Sequence, residues 1–185
     1  MNLKKLIFIT ITALIGVFTM EAQNQTKQEN KTVVVYFSAT GTTAAMAKNA
    51  AAALGADIIE IEPMHKYTAA DLNWHDRKSL TTIECNDPKS RPAIANEIDI
   101  SSYETVIVCY PIWWAYAPKI VYTFAESQKW AGKKLVALCT SGGSGLGRSG
   151  SDLAKYAKGA DYKGGKDVTR AKADAIKNYV EGLLK

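Results

Sequence analysis

The chain has 185 residues, 47% of them apolar and 22% charged, with a net charge of +5. That balance suits one globular domain and excludes a disordered or collagen-like chain. The basic residues are scattered, with no aromatic-interleaved basic stripe, which argues against nucleic acid as a partner.

At the amino end, Lys4 and Lys5 precede the apolar run Leu6–Phe18, followed by "TMEAQNQ". This is the charged, apolar and small-residue order of a secretory signal. The run is short of the roughly 20 residues that cross a bilayer. The expectation is an exported protein, periplasmic if the source is Gram-negative, with cleavage after Ala22 and no stable membrane span afterwards. Loss of residues 1–22 removes two lysines and Glu21 and leaves a charge of +4. Residues 23–31 read as a polar leader and 32–185 as one domain.

The segment "TVVVYF" (32–37) is a continuous β-branched and aromatic run, the mark of a strand buried on both faces. Next, Thr43 to Leu54 is an alanine-rich helix that stops before Gly55, a suitable C-terminal cap. "DIIEIE" (57–62) alternates after Ile58, which suits a strand near an edge. The long polar segment 63–100 is expected to hold a short helix around Ala70 to Leu80. "ETVIVCY" (104–110) and "KLVALCT" (134–140) are two more buried strands. Between them, Pro118 opens a helix whose Ile120, Val121 and Phe124 share one face. A fifth strand is faintly written near Ala160 to Tyr162. The last helix carries Ile176, Tyr179, Val180, Leu183 and Leu184 at helical spacing. Strands alternating with helices predict right-handed β-α-β units and a parallel sheet covered on both sides. Cys109 and Cys139 end strand runs and read as buried small hydrophobes, while Cys85 lies in the polar segment, where exposure is expected.

Ligands of open α/β sheets bind outside the carboxyl ends of the strands, and three strand ends here are unusual. "SATGTT" (38–43) places four hydroxyls and Gly41 at a helix start, where unpaired N–H groups and the positive dipole end favour an anion. One N-cap needs one hydroxyl, so four point to a phosphate site. No G-K-[ST] follows, so this is not a nucleoside-triphosphate loop. "YPIWWAY" (110–116) can supply an apolar wall for a planar ring; adjacent side chains point apart, so either Trp113 or Trp114 faces the ring while the other packs inward. "TSGGSGLGRSG" (140–150) is dense in glycine, as close backbone approach to a ligand requires. A serine-hydrolase elbow and a metal-ligand spacing are both absent from the sequence.

Strand then S-x-T-G-x-T, strand then P-x-W-W, strand then T-S-G-G-S: together these resemble the flavodoxin family. The likeness is to a bacterial subgroup with a long insert after the second strand, where "NDPKSRP" (86–92) is also similar. The resemblance implies an α/β fold, a doubly wound five-stranded parallel sheet in the order 2-1-3-4-5, with FMN at its carboxyl edge. Carried over by position, Ser38, Thr40, Gly41, Thr42 and Thr43 would bind the FMN phosphate. Pro111, Ile112, Trp113 and Trp114 would flank the flavin ring, and Ser141, Gly142, Gly143 and Ser144 would line its other edge through backbone groups. The implied function is electron transfer to a redox partner protein. The alternatives are an NAD(P)H-dependent FMN reductase of quinones or other small-molecule acceptors, and a binding module without flavin. Electron-carrying relatives are typically acidic and cytoplasmic, unlike this chain. Neither ring loop contains Asp or Glu, while Lys119 and Arg148 lie nearby in sequence. A positive group there would stabilise a reduced, anionic flavin, so this flavin is expected to be less reducing, with Arg148 as the residue to test.

Overall fold

The computed structural model describes residues 31–185. The signal segment and nearly all of the polar leader read from the sequence lie outside the described residues. In β1 (Thr32–Tyr36), successive side chains enter two different cores. Val33 and Val35, with Phe37 just beyond the strand, face one; Val34 and Tyr36 face the other. A strand buried on both sides has no use for polar alternation, which explains the unbroken apolar run. β3 (Thr105–Pro111) and β4 (Lys134–Thr140) are built alike. β2 (Asp57–Glu60) pairs only with β1 and alternates half-buried with exposed residues, as an edge strand does. With β5 (Asp161–Asp167), the sheet is parallel and ordered β2-β1-β3-β4-β5.

One face carries α1 (Thr42–Leu54) and α5 (Ala173–Leu184). Ala47, Ala50 and Ala51 bring α1 close to the sheet beside Ile176 and Val180 of α5. The expected cap of α1 is present, with Gly55 left-handed at φ 60° and its N–H bonded to helix carbonyls. The other face carries α3 (Lys119–Ser127) and α4 (Ser149–Tyr156), through Ile120, Val121, Phe124 and Leu153. Cys109 and Cys139 project into opposite cores, so they cannot pair across the sheet. No helix among the described residues is long and apolar enough to cross a membrane.

Three local expectations need correction. The helix expected around Ala70 to Leu80 is α2, Leu80–Asn86. Upstream, Asp71 Oδ2 accepts from both the backbone N–H and the hydroxyl of Thr68, and Asp76 Oδ1 accepts from Lys78 N–H. Such local side-chain bonds compete with helix formation. Cys85 therefore sits on a helix, half-buried, and burial pushes its thiol up to about 12. β5 is longer than its sequence suggests: a side chain at Gly165 would collide with the Ala137 carbonyl and with Leu146, so glycine occupies a strand that apolar residues would otherwise announce. α4 went unannounced because it opens with Ser-Gly-Ser and buries only one large apolar residue, Leu153.

Candidate functional site

The parallel arrangement brings the ends of β1, β3, β4 and β5 to one edge. Pro111 is level with Thr140, and Tyr36 with Cys109. After β1 the chain turns through Gly41, left-handed at φ 91°, directly into α1. No hydroxyl caps this helix. Gly41 N–H donates to Ser38 Oγ at 3.1 Å, and the first helical bond is Ala45 N–H to Gly41 O at 3.0 Å. Among the described residues, the N–H groups of Thr42, Thr43 and Ala44 have no acceptor. The four hydroxyls divide by role. Ser38 shapes the turn, and Thr43 Oγ1 lies 2.8 Å from Thr140 Oγ1 in a buried pair. Thr40 and Thr42 line an open cavity, with no internal hydrogen-bond partner among the described residues.

After β3, Trp113 and Tyr116 exchange both backbone hydrogen bonds at 2.9 Å. The two residues between them, Trp114 (φ 49°) and Ala115 (φ 66°), are both left-handed. This is the geometry of a tight hairpin turn, normally occupied by Asn-Gly, here filled by residues that adopt it under strain. Trp113 is half-buried, held edge-on by Phe37 at 5.6 Å and Tyr67 at 5.3 Å. Trp114 stands at the rim, 37% exposed. Both tryptophans therefore line the cavity, and neither packs wholly inward as the sequence suggested: Trp113 also packs against the core, and Trp114 stands exposed at the rim. Tyr67 is fixed in turn by donating to Glu84 Oε2 at 2.8 Å. Burial raises the Glu84 carboxyl above its ordinary value, and the bond from Tyr67 offsets part of that rise.

After β4, Ser141 is the organiser. Its Oγ donates to Asp167 Oδ2 at 2.6 Å and accepts from Gly143 N–H (3.2 Å) and Gly145 N–H (3.0 Å). Its N–H donates to Thr169 Oγ1 at 2.8 Å. Burial alone would raise the Asp167 carboxyl; the bonds from Ser141 and from the Thr169 hydroxyl and N–H outweigh it and hold the group below its ordinary value. Among the described residues, the N–H groups of Gly142 and Ser144 have no acceptor.

These loops enclose a cavity of about 570 Å³, within the usual range for small-molecule sites. Of the residues singled out in the sequence, Thr40, Thr42, Thr43, Pro111, Ile112, Trp113, Trp114, Ser141 and Gly142 line it. Ser38 and Gly41 shape the loop without lining it, and Gly143 lines an adjoining trough with Asp167, Thr169 and Arg170. Ser144 lines neither. Sequence reasoning missed Leu72, Trp74 and Thr81 from the long insert and Thr169 beyond β5. Trp74 is 67% exposed, with its ring 3.5 Å from that of His75, and a tryptophan within so polar a segment was the available signal. No lining residue of the cavity is charged. Lys119 and Arg148, the cations close in sequence, are both elsewhere: Arg148 is 78% exposed and reaches Asp152 at 3.6 Å.

The flavodoxin family model matches residues 31–183. A candidate flavoprotein of Bacteroides eggerthii is 42% identical, with a TM-score of 0.80 over 84% of this chain and 98% of that one. A second, from Bacteroides uniformis, is 40% identical, with a TM-score of 0.78 over 82% and 98%. A Lactobacillus acidophilus flavoprotein solved in complex with FMN is 20% identical, with a TM-score of 0.63 over 84% and 99%, and shares the fold. No curated protein matches. Three strand ends, one uncapped helix start and a match over the whole described domain lead to one conclusion: the chain belongs to the flavodoxin family.

Proposed function

We propose that this protein binds FMN and carries electrons to a protein partner. One observation carries the reading. The start of α1 offers three N–H groups and the hydroxyls of Thr40 and Thr42, all without internal acceptors, beside a cavity walled by Trp74, Trp113 and Trp114. Helix-start N–H groups and the dipole behind them suit a phosphate, and flat apolar walls suit the isoalloxazine ring. Nothing in the wall competes for the phosphate, since no acid lines it and none lies in the first turn of α1. When bound, FMN supplies a reversible electron couple; the chain binds it, orients it and limits water around it. Exposed Trp74 and Trp114 leave the cavity mouth accessible to a partner surface.

The test is FMN-loaded protein mixed with NADPH without oxygen. The proposal expects the yellow colour to persist until an artificial reductant or a reduced partner is added. Rapid bleaching by NADPH alone would replace this reading with that of a reductase. We also propose that residues 1–22 direct export, which amino-terminal sequencing of the protein from fractionated cells would test.

A further inference from the structure

A second cavity, of about 410 Å³, is lined by residues of α2, α3 and α4 and by Tyr116 of the turn after β3. Its charges do not balance. Asp152, nearly buried, is bonded by Lys155 at 2.6 Å and approached by Arg148 at 3.6 Å, so its charge is already matched. Arg91, stacked over Tyr156 at 4.9 Å, is engaged twice by Glu126 at 2.7 and 2.9 Å. Lys119 is different. It is only 8% exposed, yet no carboxylate or carbonyl accepts from its ammonium among the described residues. Its neighbours are neutral: the Tyr122 ring, 5.5 Å from Nζ to centroid, and the Cys85 thiol, close enough to feel its charge. The comparably buried Lys133 shows the usual solution: its ammonium donates to the carbonyls of Ser101 and Tyr103.

Taking a cation out of water without a counter-charge is unfavourable. No unpartnered side-chain nitrogen or oxygen is fully enclosed among the described residues, so the Lys119 ammonium opens onto the cavity it lines. The charged residues that line the cavity are Lys119, Lys155 and Asp152, a net of one positive charge, which calls for one negative charge. That single net charge suits a monoanion better than a dianion such as phosphate. Beyond the ammonium, Tyr116 and Asn86 line the mouth with neutral donors that have no internal acceptor, and the remaining space exceeds what a bare ion needs. Cys85 is an inert part of the wall, because burial keeps its thiol protonated.

We propose that this cavity binds the carboxylate of a small organic monoanion, with Lys119 as the cation that receives it. The site is independent of whether FMN occupies the other cavity. The test uses benzoate as the probe, titrated into isotope-labelled protein with and without FMN and followed by backbone amide shifts. Expected are saturable shifts around Lys119, Tyr122 and Tyr156, with neutral benzamide, chloride and phosphate far weaker. Lys119→Met should weaken benzoate by about tenfold or more, the scale of a lost charge-assisted hydrogen bond, while Lys119→Arg keeps it. The proposal is overturned by benzamide, chloride or phosphate binding as well as benzoate, by no saturable shift, or by unchanged affinity in Lys119→Met. Should Lys119→Met fail to fold, the comparison of benzoate with benzamide on the unmodified protein decides alone.

Discussion

Thr43 on the first turn of α1 and Thr140 at the end of β4 share a buried hydrogen bond, 2.8 Å between hydroxyl oxygens that are 97 residues apart in the chain. This bond ties the first loop of the site to the third. It also takes Thr43 out of the set of free hydroxyls, leaving Thr40 and Thr42 to face the cavity.

Thr43→Val should therefore affect stability first. It leaves the Thr140 hydroxyl buried without a partner, a loss of about 1–3 kcal/mol. Thr43→Val combined with Thr140→Val should recover most of that loss, because neither hydroxyl then remains unsatisfied. Urea unfolding of the two single variants and the double variant checks this; additive losses would show that the pair is not coupled.

The hairpin turn gives a prediction of opposite sign. Ala115 is left-handed without being glycine. Relief of that strain, roughly 1–2 kcal/mol, outweighs the added flexibility of glycine in the unfolded chain. Ala115→Gly should raise the unfolding free energy by up to about 1 kcal/mol. An unfolding midpoint below that of the unmodified protein would mean the turn is relaxed as it stands.

Glu84 makes stability depend on pH. Burial favours its neutral form, so its contribution is complete below the ordinary glutamate value of 4.5 and is lost as pH rises through its higher folded value. Glu84→Gln keeps an acceptor for the Tyr67 hydroxyl and cannot ionise. It should be more stable than the unmodified protein at neutral pH and lose that advantage below 4.5. A constant difference across the range would contradict the assignment.

Asp167 changes the electrostatic expectation for a bound flavin. The ring loops contain no acid of their own, but this carboxylate reaches Ser141 from β5. With FMN bound, removing a negative charge there should ease reduction. Asp167→Asn is expected to raise the potential by an amount on the order of 59 mV, equivalent to a tenfold change in relative affinity of the two redox states for a one-electron couple. Arg148→Ala should move it much less, since Arg148 is exposed and outside the cavity. A redox titration of both variants distinguishes them; a large downward shift for Arg148→Ala alone would restore the expectation drawn from sequence proximity.

What was legible in the sequence follows from where the information is local. β1, β3 and β4 are buried on both faces, so their composition alone marks them, and the loop that follows each inherits its place at the sheet edge. The alternation of β2 likewise reports its edge position. By contrast, Gly165 is required by Ala137 and Leu146, neither of which is a neighbour in sequence, and β5 was therefore faint. Trp74 reaches the cavity from a segment with little regular structure and Thr81 from α2, whose position the sequence misplaced, and the Thr43–Thr140 bond is a tertiary fact that no local pattern encodes. Ser144 stood beside true lining residues in the chain, yet the turn organised by Ser141 carries it away from the wall.

The central claim is that the α1 start and the tryptophan walls together hold FMN. The most direct measurement is a titration of FMN into flavin-free protein, followed by quenching of flavin fluorescence, with Thr40→Val plus Thr42→Val as the comparison. The account predicts saturation at one FMN per chain, and affinity weaker by about tenfold or more in the double variant, with its unfolding midpoint unchanged. No binding by the unmodified protein, or equal binding by the double variant, would contradict it.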